Sequence, residues 1–205
     1  MSSTSLPLNQ NLDKKALRHT LRQRRRALTS HRQRCAELRL TSRLAKHPEF
    51  VSADTLALYL AADGEIGTRA IIELAWRLGK RVYLPILRAG NRLRFAEYLP
   101  GAQLRRNRLG IPEPLIKRYR GAKYLDLVLM PLVGFDAAGR RLGMGGGFYD
   151  RSFAFVRERQ RRRPVLVGLA HQCQQVGHLP AEVWDVPMAA IATDRRWLPV
   201  RRLGR

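Results

Sequence analysis

Acidic residues are scarce: 16 Asp and Glu stand against 39 Lys and Arg in a chain of 205 residues, a formal net charge of +23. A surplus of that size invites polyanionic partners. Cysteine is nearly absent. Cys35 and Cys173 lie far apart, with no Cys-x-x-Cys and no neighbouring His-x-x-x-His, which excludes a disulfide framework and a structural zinc site and leaves inert thiols. Long apolar runs are missing too: none approaches the roughly 18–20 residues of a membrane span. Residues 1–11 lack the compact apolar segment of a secretory signal, so a cytoplasmic protein without membrane attachment is expected. The basic start has the composition of a transit peptide, but Asp13 and the roles given below to Lys14 and Arg18 make that the weaker reading.

What is present suffices for a folded interior. Hydrophobic residues make up 45% of the chain, enough at this length to bury a core in one domain spanning residues 1–205. Residues 1–13 are expected to be flexible, 14–47 to form a helical region and 55–197 an α/β core. No acid occurs between residues 14 and 35, and Leu17, Leu21 and Leu28 recur at spacings of four and seven. An apolar stripe therefore runs along one face of a basic helix. Ser30 is placed to cap a second helix with Cys35, Leu38 and Leu44 turned inward, and His47-Pro48 ends it.

From Thr55 short apolar runs alternate with turn residues. Thr55-Leu56-Ala57-Leu58-Tyr59-Leu60 reads as a buried strand. Thr68 caps a helix carrying Ile71, Ile72, Ala75, Trp76 and Leu78 that stops at Gly79, and Arg81-Val82-Tyr83-Leu84 is the next strand, closed by Pro85. Strand, helix and strand within about 30 residues make the βαβ unit of a parallel sheet. Residues 93–98 alternate as a half-buried strand, 99–119 are polar and proline-rich and read as irregular, and 125–131 form the strongest buried strand. A helix over 148–159 and strands over 165–170 and 189–193 complete the pattern. These elements predict a three-layer α/β sandwich with a mainly parallel sheet and N-terminal helices packed against it.

Directly after the strongest strand comes Gly134-Phe135-Asp136-Ala137-Ala138-Gly139-Arg140-Arg141-Leu142-Gly143-Met144-Gly145-Gly146-Gly147-Phe148-Tyr149-Asp150. Clustered glycines remove Cβ atoms, permit positive φ and let several N–H groups converge on an anion beside a helix start. That is a phosphate cradle. Arg141 can add a charge-assisted contact, and Asp150, one short step into the helix, is placed to hold Mg²⁺ bridging phosphate oxygens. The Walker pattern fails because no lysine follows these glycines, and a dinucleotide fingerprint starting at Gly143 needs glycine where Phe148 stands. A tight structural turn also uses glycine, but the run after Gly143-Met144, flanked by Arg141 and Asp150, favours a ligand.

A second constellation, Leu60-Ala61-Ala62-Asp63-Gly64-Glu65-Ile66-Gly67-Thr68, again follows a strand and precedes a helix. Ligands of open α/β sheets lie beyond those strand ends, so Glu65 points toward the glycine loop's region and could accept N–H groups of a heterocycle. It reads equally as a helix-flanking acid that favours the N-terminal dipole. Asp185, before the last core strand, is either a second acid near a metal or a loop aspartate closing a turn. His171 and His178 show no metal or triad spacing and read as structural or solvent-exposed.

Six blocks occur in a telling order: Lys14-Lys15-Ala16-Leu17-Arg18, Gly64-Glu65-Ile66-Gly67-Thr68, Asn107-Arg108-Leu109-Gly110-Ile111-Pro112-Glu113-Pro114, Pro131-Leu132-Val133-Gly134-Phe135-Asp136, Arg141 through Asp150, and Trp184-Asp185-Val186-Pro187-Met188. Over about residues 14–197 the chain resembles the 5-formyltetrahydrofolate cyclo-ligase (5,10-methenyltetrahydrofolate synthetase) family. The resemblance implies an ATP- and Mg²⁺-dependent ring closure that converts 5-formyltetrahydrofolate into 5,10-methenyltetrahydrofolate and releases ADP and phosphate. It implies that Lys14, Lys15, Ala16, Leu17 and Arg18 hold ATP together with Arg141, Leu142, Gly143, Met144, Gly145, Gly146, Gly147, Phe148 and Tyr149. Leu60, Glu65 and the stretch from Met144 to Phe148 then face the folate, and Asp150 and Asp185 bind magnesium. A monomer is expected.

The chain departs from many relatives in carrying Met144 and Gly146 where they carry basic residues, and Ala189 where they carry an acid. Phosphoryl charge then falls more on Lys14, Arg18, Arg141 and Mg²⁺, with Met144 a contact of shape. A different class of reading, a nucleic-acid binder using residues 14–34, 157–163 and 201–205, predicts steep salt dependence. No aromatic-interleaved recognition motif accompanies those charges, and such a binder has no use for the loop from Arg141 to Asp150. A sugar-phosphate or CoA-handling enzyme of similar architecture is a third reading, since fold alone does not fix chemistry. Nucleic acid is thus not required, although non-specific polyanion binding fits the charge.

Overall fold

The structure, a computed structural model, describes residues 13–107, 110–115, 118–158, 164–180 and 182–200. After α1 (Lys14–Arg26), α2 (Ser30–Ala45) and α3 (Pro48–Val51), the chain enters a sheet with β1 (Thr55–Ala57), crosses by α4 (Arg69–Arg77) to β2 (Arg81–Arg88) and returns along β3 (Arg92–Glu97). A hairpin of β4 (Leu104–Arg106) and β5 (Pro112–Pro114) precedes β6 (Tyr119–Arg120) and β7 (Leu127–Pro131). A second hairpin, β8 (Gly134–Phe135) and β9 (Arg141–Leu142), leads to α5 (Phe148–Ser152), α6 (Phe155–Glu158), β10 (Val165–Ala170), β11 (Ala190–Thr193) and β12 (Trp197–Pro199).

The main sheet has the order β12-β11-β10-β7-β1-β2-β3-β6. Its centre from β11 to β2 is parallel, and β12, β3 and β6 add antiparallel edges. Side-chain alternation fills both faces. Leu127 and Leu129 of β7 join Leu56, Val82 and Val167 against Leu40, Leu44, Phe50, Ile71 and Ile72 of the helices on one face. Val128 and Met130 turn the other way, to Phe95, Leu166, Ile191, Phe153 and Val156. The expected three-layer α/β architecture is therefore present, with α2, α3 and α4 on one face and α5 and α6 on the other. α1 takes a different place: Leu21 packs with Val133, Leu142 and Leu179, over the carboxyl end of the sheet. No helix among the described residues is long and apolar enough to cross a membrane.

Several local expectations need correction. α2 is capped by Thr29, whose hydroxyl accepts from the Arg32 N–H at 3.3 Å, one residue before Ser30. Its inward face is Ala36, Leu40 and Leu44, a clean four-residue repeat, while Leu38 is 54% exposed and Cys35 only half-buried. Thr68 precedes α4 without capping it, because its hydroxyl donates to the Tyr59 carbonyl; the Ala70 N–H is met instead by Glu37 of α2 at 2.8 Å. β1 stops at Ala57, earlier than expected. β2 runs on through Pro85 to Arg88. Arg81 and Leu87 send their N–H groups to the β1 side, to Asp54 and Glu113, so by alternation Pro85 lacks its N–H where β1 has already ended and no ladder bond is lost. The stretch read as irregular contains the β4–β5 hairpin, and the helix expected over 148–159 is broken at Phe153-Ala154. Ser152 explains part of that break: its hydroxyl bonds back to Phe148 O at 2.6 Å and accepts from Leu93 of β3 at 2.7 Å, while Phe153 is fully buried. Residues 1–12, 159–163 and 201–205, on which parts of the flexible-start and basic-surface expectations fall, lie outside the described residues.

Candidate active site

β1 and β7 are neighbours, and the helices that follow them cover opposite faces of the sheet. Chains diverging in this way leave a crevice beyond the strands' carboxyl ends. A cavity of about 1060 Å³ opens there, lined by α1, the loop after β1, the glycine loop after β9 and the segment before β11. That lies at the upper end of the about 300–1,000 Å³ common for ligand pockets.

The glycine loop forms the cavity's wall. Gly145 (φ 96°) and Gly147 (φ 64°) occupy left-handed backbone that other residues adopt at a cost. A Cβ on Gly146 would lie 2.7 Å from the Phe148 ring. α5, which follows this loop, has only five residues and so contributes little helix dipole. Arg18 fastens the loop to α1: its Nε donates to Gly143 O at 2.8 Å. At the start of α1, Lys14 forms an ion pair with Glu182, and both line the cavity.

Arg141 is held between two acceptors, donating to Val186 O at 2.6 Å and forming an ion pair with Asp150; its side chain is 8% exposed. Asp150 also accepts from the Val186 N–H at 3.2 Å. Asp185 accepts from the Glu182 N–H at 2.9 Å, so it closes a turn and lines the cavity at once. Among the described residues no group of three or more His, Cys, Asp or Glu is arranged to hold a metal. Two carboxylates lining a cavity beside a glycine-rich loop nevertheless suit Mg²⁺, which takes oxygen ligands and commonly keeps only one or two protein carboxylates when substrate phosphates and water supply the rest.

Glu65 lines the same cavity. The turn before it has positive φ at Asp63 (54°) and Gly64 (73°) and is closed by the Glu65 N–H to Ala62 O at 2.9 Å. The Glu65 carboxylate accepts from the Ala62 N–H at 3.1 Å and lies 3.8 Å from Arg25. Burial raises its carboxyl above the ordinary range, more than the Ala62 N–H and the Arg25 charge lower it. Burial, then Glu65, push the Tyr149 hydroxyl upward, and the same two causes, in the same order, act on Tyr59. Tyr59 donates to Ile66 O at 3.1 Å. At Asp63 burial acts upward, but hydrogen bonds from Arg22, Arg25 and Arg26 outweigh it and hold the carboxyl at about 2.

Of the expected site residues, Lys14, Arg18, Leu60, Glu65, Arg141, Leu142, Gly143, Met144, Gly145, Gly146, Gly147, Phe148, Tyr149, Asp150 and Asp185 all line this cavity. Lys15 and Ala16 stand exposed on α1, and Leu17 packs against the cluster around Leu21. His171 is buried in a local capping arrangement, and the exposed His178 pairs with Arg140 at 2.8 Å. Sequence reasoning missed Arg22, Arg25 and Asp63. The signal for the arginines was available, since Lys14, Arg18, Arg22 and Arg25 recur at helical spacing on one face.

Fold and site together define an α/β protein with one large crevice at the carboxyl end of its sheet, lined by cations of α1, a glycine loop and several carboxylates. The profile of the 5-formyltetrahydrofolate cyclo-ligase family matches residues 10–194. The chain is 46% identical over 178 residues to a 5-formyltetrahydrofolate cyclo-ligase of Escherichia coli, covering 84% of this chain and 96% of that one. To its counterpart in Haemophilus influenzae it is 42% identical, covering 84% and 92%. The solved structure of the 5,10-methenyltetrahydrofolate synthetase of Aquifex aeolicus superimposes with a TM-score of 0.79 at 28% identity, over 94% of each chain. The chain belongs to the 5-formyltetrahydrofolate cyclo-ligase family, which makes it a ligase of folate metabolism.

Proposed function

We propose that this enzyme converts 5-formyltetrahydrofolate into 5,10-methenyltetrahydrofolate with ATP and Mg²⁺. One observation carries the reading beyond family membership: the cations of α1, the glycine loop and Glu65 open into a single cavity. The chemical difficulty is that a formamide oxygen is a weak nucleophile and its carbon a weak electrophile. Phosphorylation of the oxygen resolves both. The formyl oxygen attacks the γ-phosphoryl group in line and ADP leaves. N10 then attacks the activated carbon, and phosphate departs as the five-membered ring closes, with the N10 proton lost.

Transfer of this kind needs positioning and charge neutralisation more than covalent help. In this reading Lys14, Arg18 and the loop N–H groups from Gly143 to Gly147 hold the triphosphate. Arg141 stabilises charge at the transferring group, and Glu65 and Leu60 orient the folate. Asp150 and Asp185 would hold Mg²⁺, which supplies Lewis-acid neutralisation of phosphate oxygens. Fixing N10 beside the carbon makes the second step effectively unimolecular. No side chain is required as a general base. The test is spectrophotometric: methenyltetrahydrofolate should form from 5-formyltetrahydrofolate only with ATP and Mg²⁺ present, and folded protein that forms none refutes the proposal.

A further inference from the structure

Arg25 is the one arginine of α1 removed from water, at 1% exposure. Its Nε donates to Asp63 O at 2.8 Å, Nη2 to Asp63 Oδ2 at 2.8 Å and Nη1 to Leu132 O at 3.3 Å. The same Nη1 lies 3.8 Å from Glu65. One guanidinium thus joins α1, the turn after β1 and the chain leaving β7. The contact continues in the backbone: a Cβ on Gly64 would lie 3.1 Å from Arg25 O. Two successive left-handed residues make this turn a conformation that needs outside support, and Arg22 and Arg26 add their charges at Asp63.

We propose that Arg25 is a positioning residue for folate binding: by gripping Asp63 it fixes the turn that presents Glu65, its charge 3.8 Å from that carboxylate, from the helix whose Lys14 and Arg18 face ATP. This rests on the reading of Glu65 as a folate contact. Lysine cannot replace Arg25, because an ammonium on a flexible stem does not reproduce three fixed N–H directions toward acceptors on two chain segments.

The test uses the full chain and measures 5-formyltetrahydrofolate and a non-hydrolysable ATP analogue separately by calorimetry, for Arg25→Lys, Asp63→Asn, Glu65→Gln and the pair Arg25→Lys with Glu65→Gln. Losing charge-assisted bonds at a positioned carboxylate should raise the folate Kd about tenfold or more. The analogue Kd should stay within about twofold, and in the Glu65→Gln background the lysine should change folate affinity by less than about twofold, the non-additivity of one coupled unit. Asparagine tolerates the left-handed backbone at position 63, so Asp63→Asn carries the test should Arg25→Lys fail to fold. A folded Arg25→Lys or Asp63→Asn with unchanged folate affinity, an equal loss for both ligands, or additive effects in the pair would overturn the proposal. If Glu65→Gln leaves folate binding unchanged, the folate reading of Glu65 fails instead, and this role falls with it.

Discussion

Asp150 carries two duties that a single substitution separates. Its carboxylate is the ionic partner of Arg141 and an acceptor for the Val186 N–H, and in the proposed reaction it also binds Mg²⁺. Asp150→Ala leaves Arg141, 8% exposed, with Val186 O as its remaining described acceptor. Stranding a fully buried charge costs about 3–5 kcal/mol. Asp150 itself is 24% exposed and faces an open cavity, so a smaller penalty of about 2 kcal/mol is expected, a fall in Tm of about 4–8 °C for a chain this long. That is within the ordinary stability of a domain, about 5–15 kcal/mol, so the variant should fold. Turnover should respond on another scale, because removing a stabiliser of transition-state charge costs about a hundredfold or more. The assay is the rate of methenyltetrahydrofolate formation against Mg²⁺ concentration at saturating ATP and folate. Activity should collapse and not return at high Mg²⁺. Asp150→Asn, which keeps an acceptor for Val186, should recover much of the Tm but little of the rate. Undiminished turnover by folded Asp150→Ala would refute the metal assignment, and full activity in Asp150→Asn would show that the carboxylate's charge is not needed.

Leu21 is fully buried where α1 meets β9 and the segment before β11; Leu21→Ala should cost about 2–5 kcal/mol, read by chemical denaturation, and a loss below about 1 kcal/mol would mean that α1 is not anchored there. Glu65 has a raised pKa in the folded chain, so its ionised form is disfavoured by folding. Glu65→Gln should therefore match or exceed the parent's stability at pH 7 while weakening folate binding, and its advantage should shrink as pH falls below the ordinary carboxylate range, where both states are protonated. Loss of stability at pH 7 would contradict the assigned sign. Asp63 shows the opposite linkage: its folded pKa of about 2 lies below the ordinary value, so its contribution is present at neutral pH and lost as pH falls from about 4 toward 2. Acid titration of unfolding should show a smaller dependence over that window in Asp63→Asn than in the parent, and an identical dependence would refute the reading.

The elements legible in the sequence were those whose burial is complete. Val165 to Ala170 reads as a strand and is one, because an uninterrupted apolar run between two helical layers has few other uses. Where position alone decides, reading failed in physically specific ways. Leu38 attracted an inward assignment by its hydrophobicity, yet the small Ala36 holds that place on α2. Pro85 looked like a terminator, but its missing N–H faces a gap left by the short β1. Glu113 makes the β4–β5 hairpin by bonding both Asn107 and Leu87, links that no local pattern announces.

The site divides in the same way. The geometry of the glycine loop was legible because it is local: positive φ at Gly145 and Gly147 and close approach at Gly146 are properties of one short stretch. Glu65 remained ambiguous between a helix-flanking acid and a ligand, since what distinguishes them is its environment, and that environment is supplied by Arg25, forty residues earlier in the chain, and by Tyr149 of α5. The excess of positive charge has the same character. As a total it suggested nucleic acid, whereas along α1 it resolves into a helical row of differing roles: Lys14 and Arg18 reach the mouth of the cavity and the glycine loop, and Arg22 and Arg25 grip the turn that presents Glu65. A count of arginines cannot separate such roles, because each is set by the acceptor it meets across the fold.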